Sequence, residues 1–215
     1  MKIISVNISL PKKVIYGKEI VTTGIFKLPI VGPIKLEKLN LEGDKQADLT
    51  VHGGINKAVY VYPKEYYDYW QNKLLRTDLS WGMFGENFTT EGLFEDDVNV
   101  GDIFNIGTCK IMATQPRIPC YKLGIKFGNM GVIKEFLNSG KPGIYFSVIR
   151  EGIVEAGNTI HLLKKDENNI TIKDILLLFQ KKIKDIKLMN RALKVDALPD
   201  SWKEYFSSQL SKIDK

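Results

Sequence analysis

Polar and apolar positions alternate from Lys2 to Ser9, with Ile4, Val6 and Ile8 on one face, and this predicts a first strand that Pro11 interrupts. A short strand around Val14 follows, then strands at Ile34–Leu41 and Ala58–Tyr62. One or two β segments run from Ile103 to Gln115 around Gly107, and two more lie at Gly143–Ile149 and Thr159–Leu163. Helical spacing interrupts this series twice. After Pro63, Tyr66, Trp70 and Leu74 recur at i, i+4 and i+8 as a core-facing stripe, and Val132, Ile133, Phe136 and Leu137 mark a short helix ending near Gly140. Beyond a polar linker at 164–169 the period becomes helical throughout. Thr171 caps a helix with Asp174 three residues on, a second runs roughly from Asp185 to Val195, and Pro199 opens a third carrying Trp202, Tyr205, Phe206 and Leu210. The pattern divides the chain into a mainly β unit, 1–163, and a small three-helix unit, 164–215.

Composition supports a globular chain: 44% of the 215 residues are hydrophobic, and 18 glycines with 8 prolines suit strands and turns. The net charge is +6, and residues 164–215 carry twelve Lys/Arg against eight Asp/Glu. The excess cations therefore sit mostly in the tail. Because acids and bases alternate there, as on a solvated helix face, the charge does not point to nucleic acid. No apolar run approaches the roughly 18 residues of a membrane helix, and the N-terminus lacks a signal-peptide core, so a cytoplasmic protein without a membrane anchor is expected. The two cysteines, Cys109 and Cys120, make neither a disulfide framework nor a zinc pattern.

Candidate chemistry centres on Gln115-Pro116-Arg117-Ile118-Pro119-Cys120-Tyr121-Lys122. Pro116 and Pro119 fix their own φ and push the preceding residues towards extended geometry, which presents Cys120 on a stiff loop. Arg117 and Lys122 are close enough in sequence to favour a thiolate, although a small buried apolar role is equally open to Cys120. Lys27 is the only cation between Lys18 and Lys35, on a loop punctuated by Gly24 and Pro29. The pair Gly53-Gly54 after His52 makes a turn or lets backbone approach a ligand. Glu86 and Asn87 lie among aromatic residues and need polar partners, while Glu95-Asp96-Asp97 lacks the ligand spacing of a calcium loop.

Taken together, Thr23-Gly24-Ile25-Phe26-Lys27, Gly43-Asp44, Gln46-Ala47-Asp48, His52-Gly53-Gly54, Lys57-Ala58-Val59-Tyr60, Phe84-Gly85-Glu86-Asn87, Gly101-Asp102 and Gln115–Cys120 resemble the MOSC domain family, and within it the bacterial stand-alone proteins of the YiiM type. The resemblance covers nearly the whole chain. It implies a MOSC-type β-barrel over 1–163 with a few peripheral helices, followed by the three-helix domain. It further implies a site for the molybdenum cofactor, molybdopterin, with Cys120 as catalytic thiolate and molybdenum ligand. Lys27 or Arg117 would hold the pterin phosphate, Asn87 and His52 its polar edge, and Gly53 and Gly54 would let backbone come close. A pyridoxal phosphate-like character is expected alongside.

The implied activity is reduction of N-hydroxylated compounds such as 6-hydroxylaminopurine, a detoxification, with electrons from a separate reductase protein that the basic tail could dock. Two other functions fit the same residues. Cys120 could carry a persulfide as a sulfur carrier for metal–sulfur cluster or cofactor assembly, or the basic tail could make the chain a non-catalytic binding module.

Overall fold

The computed structural model describes residues 1–47 and 53–212. Strand β1 (Lys2–Ile8) is followed by a hairpin, β2 (Lys12–Tyr16) and β3 (Glu19–Thr23), and by the short strands β4 (Leu28–Ile30) and β5 (Ile34–Leu36). After a single 3₁₀ turn at Ile55–Lys57 come β6 (Val59–Pro63), α1 (Glu65–Leu74) and β7 (Phe88–Glu91). Next are β8 (Ile103–Ile106), β9 (Cys109–Pro116), α2 (Tyr121–Phe127), α3 (Gly131–Ser139), β10 (Ile144–Arg150), β11 (Gly152–Val154) and β12 (Ile160–Lys164). The described chain finishes with α4 (Ile172–Phe179), α5 (Ile186–Ala192) and α6 (Asp200–Leu210).

Eight strands form one sheet in the order β12-β8-β9-β10-β6-β7-β1-β4, and β5–β11 and β2–β3 form separate two-stranded pairs. The expected closed barrel is not present. Strand β1 already pairs with β4 and β7, and its start meets the entry to β12 through one isolated bridge, Lys2 to Thr159, with backbone hydrogen bonds from Ile3 N to Asn158 O, Gly157 N to Ile3 O and Ile160 N to Met1 O. Among the described residues no ladder joins the two ends of the sheet, β12 and β4, and Pro29, which lacks an N–H, sits on the β4 edge.

The expectation of a mainly β unit with a few peripheral helices is also corrected, to a mixed α/β fold. Strands β6 and β7 run parallel, Val61 opposite Phe88, and a parallel pair needs a crossover, which here contains α1. The helices then build a second apolar core of their own. Tyr66, Tyr67 and Trp70 of α1, Leu123 and Phe127 of α2 and Phe136 of α3 pack with Tyr62 and Phe84. The ring of Trp70 stacks on Phe136 with centroids 5.6 Å apart. No helix among the described residues is long and apolar enough to cross a membrane.

The first core lies between the sheet and the C-terminal helices. Ile3, Phe104, Ile111 and Phe146 share one cluster with Ile172, Ile175, Trp202 and Phe206. Helix α4 starts at the expected capping box, Thr171 accepting from the Asp174 backbone and Asp174 from the Thr171 backbone. Trp202 of α6 also donates its indole N–H to Gln115 Oε1 at 2.7 Å, which ties α6 to the end of β9. Trp202→Ala should cost about 3–5 kcal/mol in urea unfolding through lost ring contacts. Trp202→Phe, which keeps a ring but strands the Gln115 oxygen, should cost about 1–3 kcal/mol.

Candidate functional site

Strand β9 ends at Pro116 and α2 begins at Tyr121, so the loop between them has only four residues to turn the chain. Cys120 is the extended residue that precedes α2, with φ −122°, and its side chain is half-buried. It lines a cleft of ≈ 680 Å³, open mouth included, together with Thr23, Lys27, Gly53, Asn87, Arg117 and Lys122. The other cysteine, Cys109, is buried in β9, where burial pushes its thiol up to about 11. It stays a protonated, inert thiol.

Arg117 is 6% exposed, and no carboxylate pairs with it among the described residues. Its guanidinium lies over the Tyr60 ring at 4.8 Å and the Phe136 ring at 5.3 Å, and donates to the Tyr60 hydroxyl over a long 3.4 Å. Burial holds the Tyr60 and Tyr145 hydroxyls above the ordinary phenol value, so neither supplies a negative charge. The cleft wall thus carries a buried cation met by two ring faces and a phenol oxygen but, among the described residues, by no carboxylate, which favours an anionic occupant.

Lys27 is differently placed. Its ammonium contacts both Asp44 carboxylate oxygens at 2.5 Å, and burial lowers its pKa from the ordinary lysine value. Asp44 also accepts from Ser9 N at 2.8 Å and from Asn87 Nδ2 at 2.9 Å. The Asn87 carbonyl accepts from Tyr60 N at 3.1 Å. Lys27 and Asn87 therefore border the cleft as members of a buried polar network. Glu86 belongs to the adjoining one, accepting from the Gly82 and Phe84 backbone amides, the Thr89 hydroxyl and Tyr67.

Two glycines are required where they stand. A Cβ on Gly24 would meet the Lys45 carbonyl at 2.5 Å, so this loop can pack on that backbone only without a side chain. Gly54 adopts φ 82°, the region glycine favours, although it does not line the cleft, whereas Gly53 does. His52 lies outside the described residues.

The pyridoxal phosphate-like expectation is corrected. Schiff-base chemistry needs a free amine, and the buried Lys27 amine is engaged by both Asp44 oxygens. Among the described residues no group of three or more His, Cys, Asp or Glu side chains gathers as a metal site. Tyr60 and Tyr145, which line the cleft, and Asp44, which anchors Lys27 beside it, carry no site role of their own in the sequence reading: both tyrosines fall in strand segments, and Asp44 in the turn with Gly43. Helix α2 was missed too, although Gly128, at φ 63°, marks its end.

The MOSC domain matches residues 48–161. The chain is 36% identical to Bacillus subtilis YflK over 211 residues, 98% of this chain and 95% of that protein. The crystal structure of YiiM from Geobacillus stearothermophilus superposes with a TM-score of 0.81 at 32% identity, covering 97% of this chain and 98% of that one. A protein of Gibberella moniliformis named a reductase is 32% identical over 157 residues, 72% of this chain but 28% of its own length.

Saturating inorganic phosphate should raise the melting temperature of the wild type. Arg117→Met should abolish that gain while leaving ligand-free stability unchanged or higher, because the apolar chain fills the site without a desolvation cost. Lys126 gives a pH signature. It donates to the Ile25 and Gly82 carbonyls, and burial, with Lys27, Arg117 and Lys12 nearby and Glu86 opposing, lowers its pKa to about 7. The unfolded chain keeps a value of about 10.4 and so binds more protons between the two, which makes this group's contribution to stability rise with pH over that window. Lys126→Met should remove the rise, read as urea midpoints at pH about 7 and about 9.5.

Proposed function

This chain belongs to the MOSC domain family, and on that premise we propose that its cleft binds the molybdenum cofactor and reduces N-hydroxylated compounds, of which 6-hydroxylaminopurine is representative. The observation that carries the reading is the placement of the half-buried Cys120 thiol and the uncompensated Arg117 guanidinium in one cleft. The residues fit such a group. A single protein thiolate suffices for a metal already held by the pterin's dithiolene sulfurs, so a cluster of protein ligands is not required. Arg117 offers forked N–H donors to a phosphate or another anionic edge, and Lys122 adds a second cation on the same wall. When bound, the cofactor supplies two-electron chemistry at its metal centre.

The reaction balances as R–NHOH plus two electrons and two protons giving R–NH₂ and water, with cleavage of the N–O bond. The chain's own residues bind and orient. Asp44 holds Lys27 in place, Asn87 ties that pair to the Tyr60 backbone, and the Tyr60 and Tyr145 rings shield the cleft wall from water. The fungal relative named a reductase supports the same reaction class.

Anaerobic purification should yield protein with stoichiometric molybdenum and pterin and with 6-hydroxylaminopurine reductase activity, and Cys120→Ala should lose the metal and the activity together. Molybdenum content that survives Cys120→Ala would remove the cysteine from the metal. A labile sulfane sulfur on Cys120 without molybdenum would instead make the protein a sulfur carrier.

A further inference from the structure

Among the described residues the β2–β3 hairpin belongs to neither apolar core and pairs with no other strand. Its register, Lys12 opposite Thr23, Val14 opposite Val21 and Tyr16 opposite Glu19, fixes one inner face. Val21 and Thr23 are buried, Thr23 lines the cleft, Lys12 lies 3.9 Å over the Phe26 ring, and the Tyr16 ring sits 6.5 Å from that of Tyr121. Tyr121 directly follows Cys120, so the hairpin leans on the cleft mouth.

The outer face is left in water. Ile15 and Ile20 face each other across the strands at 82% and 69% exposure, with the pair Lys13 and Thr22 beside them and Lys18 at the turn. Isoleucine serves strand propensity, but two β-branched side chains this exposed, flanked by lysines and adjoining the mouth of a cleft, have the anatomy of an interface: an apolar centre with a basic rim.

The proposed reaction consumes two electrons per turnover, and the sequence contains no GxGxxG run for a dinucleotide. The electrons must enter beside Cys120, because transfer weakens steeply with distance. We propose that the outer face of the β2–β3 hairpin docks a small acidic electron-carrier protein, whose carboxylates meet Lys13 and Lys18 and whose apolar contact covers Ile15 and Ile20. This rests on the reductase reading. A second basic cleft, with Lys181, Lys184 and Lys212, lies among α4–α6 and serves as the internal comparison.

The test uses the holoprotein with reduced flavodoxin and, in parallel, reduced ferredoxin as carriers, and dithionite with methyl viologen as chemical reductant. The variants are Ile15→Asp/Ile20→Asp and Lys13→Glu/Lys18→Glu, with Ile15→Thr/Ile20→Thr as a strand-preserving variant. Carrier-driven turnover should fall by about tenfold or more in the two charge-altering variants while viologen-driven turnover stays unchanged, and wild-type binding of the carrier should weaken with salt. Carrier-driven rates within about twofold of wild type would overturn the docking surface, as would losses confined to Lys181→Glu/Lys184→Glu/Lys212→Glu. Absence of wild-type turnover with viologen would instead defeat the reductase reading. Direct carrier binding then decides the surface by itself, since binding retained in Ile15→Asp/Ile20→Asp, or absent in wild type, overturns it.

Discussion

A guanidinium shut away from water without a carboxylate is the constraint around which the cleft is built. Arg117 is tolerated because Tyr60 and Phe136 present ring faces to it. The arrangement depends on sheet register: Tyr145 of β10 pairs directly with Tyr60 of β6, and their ring centroids lie 5.2 Å apart. A slip by one residue would turn these phenols to the opposite face and leave the cation without the Tyr60 ring. Phe136 arrives from α3, within the helical core, so the charge is stabilised only when that core has packed against the sheet.

The second constraint is the buried polar network on the other side of the cleft. Asp44 collects donors from Ser9, Lys27 and Asn87, segments far apart in the chain, and leaves the loop containing Lys27 little freedom. Lys126 reinforces it by joining the carbonyls of Ile25 and Gly82 from α2. A satisfied network of this kind specifies geometry more than it stabilises the fold, and the contact of Gly24 with the Lys45 carbonyl has the same effect.

Much of this architecture could be read along the chain. Alternation and turn residues located most strands, and Thr171 with Asp174 announced α4. The phase of β1 was misread because a bulge between Ile3 and Ser5 shifts the register, so that Ile3 and Val6 are fully buried while Ile4 is only partly so. Whether the sheet closes depends on how β1 divides its hydrogen bonds among neighbours, and no local pattern encodes that. Cys120, Lys27, Asn87 and Arg117 were visible as residue types in a family's order. The partners that set their behaviour, Asp44 and the two tyrosines, were not, because each also satisfies an ordinary turn or strand pattern.

The hydrogen bond from Trp202 to Gln115 has a consequence for biosynthesis. Gln115 lies at the end of the strand that leads into the loop carrying Arg117 and Cys120, and its brace comes from a helix translated some ninety positions later. Because chains fold from the N-terminus as they leave the ribosome, the sheet and its aromatic core can assemble while this loop still lacks its support. The brace on this strand end therefore forms only once α6 has been synthesised, and until then the loop that follows is held from the sheet side alone.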